Sequence, residues 1–205
     1  MNDSLTEVVF ILDRSGSMSD LVSDTIGGYN TFIEKQKSES GEAVLTTILF
    51  DDQYEILHDR VNIKNVKSLT HNDYYARGST ALLDAIGKTI NSIGKKLSDT
   101  EEKDRPSKVI FVITTDGFEN ASREFTKEKI KEMVEHQTNV YKWQFIFLGA
   151  NIDSFSVGNA LGIYTTSDFT ANSNGTKSLF TSVSNTVATY RITGKVDENW
   201  NENIQ

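Results

Sequence analysis

The stretch VVFILDRSGSM, residues 8–18, decides the fold and contains the first candidate site residues. It begins with five apolar residues, most of them β-branched, which predict a β-strand buried on both faces. The polar residues Asp13, Ser15 and Ser17 follow directly, so we expect them where this strand leaves the core. A metal ion, a phosphate group or the cap of a following helix would each suit that position.

Apolar runs and amphipathic helical patterns alternate along the rest of the chain, which is typical of a parallel sheet covered on both faces. Only DDQ separates the second apolar run from the third, which predicts a hairpin and therefore an antiparallel edge strand. The predicted fold class is α/β, a doubly wound, Rossmann-like and mostly parallel sheet with one antiparallel edge strand and helices on both faces. The predicted strands are 8–12, 44–50, 54–58, 109–115, 143–148 and, weakly, 163–165, and the predicted helices lie near 22–33, 82–97, 130–134, 155–161 and 179–190.

Length, composition and charge restrict the class of protein. A chain of 205 residues with 37% apolar residues predicts one domain. The chain has no cysteine, which excludes disulfides, thiolate metal sites and thiol nucleophiles. The net charge of −8 argues against nonspecific binding to nucleic acid or anionic membranes. The polar start MNDSLTE is followed by an apolar run too short for a signal peptide or a membrane span, so we expect a cytoplasmic protein.

Two adjacent glycines, Gly27 and Gly28, interrupt the first predicted helix. Each costs about 1 kcal/mol relative to alanine inside a helix. We expect them to allow a close approach of this helix to the sheet, with a break in the helix as the alternative.

Three polar clusters are expected to meet at one edge of the sheet. In a doubly wound sheet, ligands bind outside the carboxyl ends of the strands, where the strand order reverses. Two carboxylates and three hydroxyls, without nitrogen or sulfur donors, suit Mg²⁺ or Mn²⁺, with Ca²⁺ as a further option, and disfavour zinc. The candidate metal ligands are Asp13, Ser15, Ser17, Thr80 in GSTALLDAI and Asp116 in TTDG.

The small number of carboxylates gives this site a distinct chemistry. If only one carboxylate binds the ion directly, the ion keeps a net positive charge of about one and an open or water-filled position. A carboxylate from outside would fill that position. Simpler explanations exist for each residue alone, since Ser17 or Ser19 could cap one helix, Thr80 could cap another, and Asp116 begins a common turn sequence. The placement of all the clusters at strand ends argues against coincidence.

At these residues the chain resembles a von Willebrand factor type A (VWA) domain. DRSGSM matches that family's D-x-S-x-S signature, Thr80 its second-loop threonine and Asp116 its third-loop aspartate. These positions form the family's metal-ion-dependent adhesion site (MIDAS), and none departs from the pattern. The resemblance covers roughly residues 5–193, which gives a single VWA domain over 1–193 and a polar tail over 194–205. GSTALLDAI and FIFLGANID further resemble stand-alone intracellular bacterial or phage members.

The resemblance implies five parallel strands with one antiparallel edge strand. It also implies that Ser15, Ser17 and Thr80 coordinate the metal directly, while Asp13 and Asp116 do so directly or through water. An Asp or Glu from a protein partner would complete the coordination shell.

Residues near the second cluster suggest a surface for such a partner. Asp73, Tyr74, Tyr75 and Arg77 precede Thr80, and tyrosine and arginine are common contact residues at interfaces. Local packing under the loop is the alternative. The sequence indicates no particular oligomeric state.

Three functions are compatible with the sequence. The first is a metal-dependent protein-interaction module without catalysis, because no nucleophile with an adjacent base is evident. The second is a Mg²⁺-dependent phosphoryl-transfer enzyme, although position 15 is serine where a second carboxylate would be expected. The third is a VWA scaffold that does not use the metal.

Overall fold

A six-stranded sheet forms the centre of the molecule in the computed structural model, which describes residues 1–204. The strands are β1 (Asn2–Asp13), β2 (Glu42–Phe50), β3 (Tyr54–Asn62), β4 (Pro106–Thr115), β5 (Gln144–Ala150) and β6 (Thr165–Phe169). Their order is β3-β2-β1-β4-β5-β6, and only β3, at one edge, is antiparallel to its neighbour. The predicted fold class, with its single antiparallel edge strand, is confirmed.

Five α-helices surround the sheet and bury its two faces. They are α1 (Val22–Ser38), α2 (Leu82–Asp99), α3 (Lys127–Tyr141), α4 (Ser154–Ala160) and α5 (Ser173–Thr193). Helices α1 and α5 pack on one face, and α2 and α3 pack on the other. A short 3₁₀ helix, Gly16–Leu21, leads from β1 into α1. Within residues 1–204, no helix is both long and apolar enough to cross a membrane.

The central strand β1 explains why its sequence is apolar without interruption. Alternate side chains of a strand point to opposite faces. Phe10 packs on the α1 side, with its ring centroid 5.3 Å from that of Phe32, whereas Val9 and Ile11 join the cluster that contains α2. Both faces of this strand are therefore buried, as predicted from the run at 8–12.

The two glycines of α1 do not behave as predicted. A Cβ atom on Gly28 would lie 2.2 Å from Cδ2 of Phe180 in α5, so this glycine allows close contact between two helices. A Cβ atom on Gly27 would have no neighbour within 4 Å. The expected close approach of helix and sheet is wrong, because two helices lie side by side on this face and Gly28 faces the second helix.

The segment after α5 is partly anchored. Val196, Trp200 and Ile204 are partly buried and pack against the core cluster between the sheet, α1 and α5. Tail residues up to 204 therefore contribute apolar contacts despite their polar sequence.

Candidate functional site

The candidate site lies at the carboxyl edge of the sheet, where β1 and β4 end side by side. From these two central strands the order proceeds outward in opposite directions, so the strand order reverses here. Three segments meet at this point. They are the first loop (residues 13–17), the second loop (residues 73–81) and the third loop (residues 116–126).

The first loop is organised by Asp13, which is fully buried at the end of β1. Its Oδ1 accepts a hydrogen bond from the backbone N–H of Ser15 at 2.6 Å. Its Oδ2 accepts one from the hydroxyl of Thr115, at the end of β4, also at 2.6 Å. Ser15 Oγ then lies 3.1 Å from Ser17 Oγ. Asp13 therefore fixes the loop so that both serine hydroxyls lie together.

The side chains of all three loops border one small space. The Ser17 hydroxyl donates a hydrogen bond to Oδ1 of Asp116, which links the first loop to the third. A Cβ atom built on Gly117 would lie 3.3 Å from Ser17 Oγ and 3.7 Å from Thr80 Oγ1. Hydroxyls from the first and second loops therefore border the same volume beside Gly117. The five predicted metal ligands are brought together.

Backbone hydrogen bonds hold the second loop between the other two. The N–H of Thr80 donates to Oδ1 of Asn120 at 2.9 Å, and the Thr80 carbonyl accepts from the N–H of Asn120 at 3.0 Å. On the other side, the N–H of Gly16 donates to the carbonyl of Gly78 at 3.2 Å. Gly78 has φ of 66°, a left-handed conformation that favours glycine. The loop geometry thus depends on contacts between residues distant in sequence.

The capping explanations for these side chains do not apply. The residue that precedes α1 is Leu21 and the residue that precedes α2 is Ala81, and neither helix has a side-chain cap. Ser15 precedes the 3₁₀ helix, again without a side-chain cap. The hydroxyls of the candidate site are therefore not explained by helix capping.

Solved structures of VWA domains resemble this architecture, although no protein-family model and no curated protein matches the sequence. The vWF domain of the type V pili tip protein Mfa5 from Porphyromonas gingivalis superimposes with a TM-score of 0.64 at 12% identity, covering 94% of this chain and 98% of that one. The ArnB paralog VWA2 from Sulfolobus acidocaldarius gives 0.56 at 16% identity, covering 91% and 45%. The chain has the VWA fold.

A third solved structure has a similar fold and was solved with a metal ion bound. Proximal thread matrix protein 1 from the mussel byssus, with a zinc-occupied MIDAS motif, gives a TM-score of 0.59 at 11% identity, covering 88% of this chain and 47% of that one. This chain spans a little under half the length of both VWA2 and the mussel protein. At these identities the likeness shows the fold of the chain.

The donor set of this VWA fold fits a hard cation. Its five side chains offer two carboxyls and three hydroxyls, which are ligands of the type that Mg²⁺ and Mn²⁺ prefer. Within residues 1–204, no group of three or more His, Asp and Glu side chains is arranged to hold a metal ion. Three of the five candidate ligands are hydroxyls.

Burial shifts the titration of both carboxyls at the site. It raises the pKa of Asp13 to about 6, although hydrogen bonds from Thr115 and Ser15 act in the opposite direction. Burial also raises the pKa of Asp116, against the hydrogen bond from Ser17. The nearby Asp116 further raises the pKa of Asp13. A cation between the two carboxyls would relieve this cost of burying negative charge.

The predicted partner surface divides into buried and exposed residues. Tyr74 is fully buried, and its hydroxyl donates to the backbone carbonyl of Asp13 at 2.5 Å, so it supports the first loop from within. Asp73 accepts hydrogen bonds from the N–H and hydroxyl of Thr70 and fixes a turn. Tyr75 is 44% exposed and the Arg77 side chain is 33% exposed. Of the four residues, Tyr74 is buried, Tyr75 is exposed, and Asp73 and Arg77 are partly exposed.

An arginine network beside the site was not predicted from the sequence. Arg14 lies between the signature residues and is fully buried, with Nε donating to Oδ2 of Asp51 at 3.0 Å. Arg77 donates to the same oxygen at 2.6 Å. Asp51 also accepts from the N–H of Gln53 at 2.6 Å, as expected of a hairpin-turn residue. A hairpin turn accounts for an aspartate at this position, so its bonds to Arg14 and Arg77 could not be predicted from the sequence.

Proposed function

We propose that this chain is a metal-dependent protein-interaction module. A divalent cation, Mg²⁺ or Mn²⁺, would be held at the candidate site and would bind an Asp or Glu side chain of a protein partner. The observation that carries this proposal is the convergence of three hydroxyls and two carboxyls, from three loops, at the carboxyl edge of the sheet. The zinc-occupied MIDAS of the mussel protein, which has the same fold, supports a divalent cation at such a position.

Some of these residues would bind the ion, and others would hold the loops in position. Ser15, Ser17 and Thr80 offer hydroxyl oxygens to the ion. Both oxygens of Asp13 already accept hydrogen bonds, which suits this carboxylate to orienting the first loop and compensating charge. Asp116 accepts a hydrogen bond from Ser17 and would provide the carboxylate of the third loop. The ion would supply a positive charge that is open to a foreign carboxylate.

An affinity pull-down with and without EDTA tests this function. The bait variants are Asp116→Asn, which removes a charge inside the donor set, and the control Asp153→Asn. Asp153 lies at the same edge, where it caps α4, and asparagine is also a good cap. We expect a protein that is captured in Mg²⁺, lost in EDTA, lost with Asp116→Asn and retained with Asp153→Asn. Capture that is indifferent to both EDTA and Asp116→Asn would contradict the proposal.

A further inference from the structure

Two exposed phenylalanines lie at the same edge of the sheet as the candidate site. Phe118 is 68% exposed and follows Asp116 by two residues in the third loop. Phe155 is 67% exposed and lies in the first turn of α4, which begins just after β5. Because β4 and β5 are adjacent and parallel, both residues lie at the carboxyl edge of the sheet, with Phe118 next to the candidate ligands and Phe155 at the end of β5.

The exposure of Phe118 is imposed by well-anchored neighbours. Glu119 points inward, where its carboxylate accepts hydrogen bonds from the N–H of Leu83 at 3.0 Å and the N–H of Ser122 at 2.7 Å. Asn120 is paired with Thr80 through two hydrogen bonds. The loop thus turns a carboxylate inward and a phenyl ring outward, opposite to the usual preference of these residue types. The hydrogen bonds of the two residues that follow Phe118 therefore keep its side chain in solvent.

Tyr75 and Arg77 pack against each other beside the site. Arg77 donates from Nη1 to the hydroxyl of Tyr75 at 3.1 Å, and its guanidinium carbon lies 5.4 Å from the centroid of that ring. Because Arg77 also binds Asp51, directly after β2, this pair lies on the β2 side. The edge therefore presents Tyr75 and the ion-paired Arg77 on the β2 side, Phe118 beside the candidate metal site, and Phe155 at the end of β5.

We propose that the partner segment carries a large apolar side chain close to its metal-binding Asp or Glu, and that Phe118 and Phe155 receive this side chain. The inference rests on the proposed function and specifies its partner. Charge complementarity favours an acidic side chain here, because a cation bound at the candidate site would attract a carboxylate, whereas Arg77 is already paired with Asp51. Burial of two exposed rings would add apolar contact area beside the ionic contact.

Selection from a random-peptide phage library tests the proposal without a known partner. Phage are bound to the immobilised chain in Mg²⁺ and eluted with EDTA, so that metal-dependent binders are recovered. We expect enrichment of peptides with an Asp or Glu and a nearby Phe, Leu, Ile, Met or Trp. Enrichment of acidic residues without apolar neighbours would overturn the inference and leave the proposed function intact. No enrichment of acidic residues would overturn both.

Substitution of Phe118 and Phe155 tests whether these residues contact the apolar side chain of the peptide. We expect Phe118→Ser/Phe155→Ser to weaken the selected peptides by about tenfold or more, with the Mg²⁺ affinity unchanged. The control is Tyr164→Ser, because Tyr164 is 69% exposed but immediately precedes β6 and therefore lies at the opposite edge. Equal peptide affinities for the double variant and this control would overturn the inference. Thermal unfolding of all variants verifies that they fold.

Discussion

At the scale of single residues, Gly117 limits the space beside the candidate metal ligands. A Cβ atom there would lie 3.3 Å from Ser17 Oγ, closer than most carbon contacts. We expect Gly117→Ala to lower the Mg²⁺ affinity by about tenfold or more, because displaced ligands bind metals less well. The control is Gly94→Ala in α2, where a Cβ atom would have no neighbour within 4 Å. Calorimetric titration of both variants measures the effect, and an unchanged affinity for Gly117→Ala would count against the site.

A second residue, Glu7, is buried in β1 without any role in the site. Its Oε2 accepts a hydrogen bond from Nε of Arg60 at 2.8 Å. Burial nevertheless raises the pKa of Glu7 to about 7, because the ion pair only partly offsets the loss of water. The folded chain therefore holds a proton on Glu7 more firmly than the unfolded chain, whose value is 4.5.

This shift predicts a pH dependence of stability. The contribution of Glu7 is fully present below about pH 4.5 and is lost as the pH rises through about 7. We expect the free energy of unfolding of the wild type, relative to Glu7→Gln, to fall over that window by on the order of 3 kcal/mol. Chemical denaturation at several pH values measures it. Parallel stability curves for the two proteins would show that burial does not shift the pKa of Glu7 as described.

The meeting of the five metal-ligand candidates at one edge of the sheet could be predicted from the sequence, but their supporting contacts could not. Asp13 and Asp116 each follow an apolar run, so the rule that ligands bind at strand ends was enough to group them. The contacts of Arg14 with Asp51 and of Asn120 with Thr80 join residues that are far apart in the chain. No local periodicity indicates such pairs. The fully buried position of Tyr74 agrees with the alternative of local packing under the loop.

At the scale of elements, the contact between α1 and α5 depends on the absence of a side chain at Gly28. A Cβ atom there would lie 2.2 Å from the ring of Phe180. We expect Gly28→Ala to destabilise the protein by about 1–3 kcal/mol through overpacking. Gly27→Ala is the matched change one position earlier, where no atom would be contacted, and we expect it to stabilise α1 by about 0.5–1 kcal/mol. Denaturant unfolding of both variants measures this, and equal effects would contradict the close packing of the two helices.

The positions of strands could be predicted where the strand is buried on both faces. They could be predicted less well where hydrogen bonds to a neighbouring strand define the element. The apolar run at 109–115 falls within β4 because both faces of that strand are covered. Strand β6 was expected at 163–165 but spans Thr165–Phe169, whose sequence TTSDF is largely polar. Its strand conformation comes from hydrogen bonding to β5, which hydrophobic patterning does not reveal. Strand β1 likewise begins at Asn2, before the apolar run.

At the scale of the whole molecule, the order of the elements places the candidate site. Successive parallel strands extend outward from β1 in both directions, and this brings the ends of β1 and β4 together. The alternation of strands and helices made this arrangement predictable, since such chains form doubly wound sheets. The exposure of Phe118 and Phe155 at this edge, and the ion pair of Arg77 with Asp51 beside the site, could be seen only in the folded structure.

The central claim is that hydroxyls from separate loops hold one divalent cation. Isothermal titration calorimetry with Mg²⁺ and Mn²⁺ tests it most directly, on the wild type, on Ser17→Ala, Thr80→Val and Asp116→Asn, and on the control Ser19→Ala. Ser19 is exposed in the same 3₁₀ helix as Ser17. We predict saturable binding of one ion by the wild type and by Ser19→Ala. We predict greatly weakened binding by Ser17→Ala, Thr80→Val and Asp116→Asn, which alter one loop each. Absence of binding by the wild type, or equal binding by Thr80→Val, would contradict the claim.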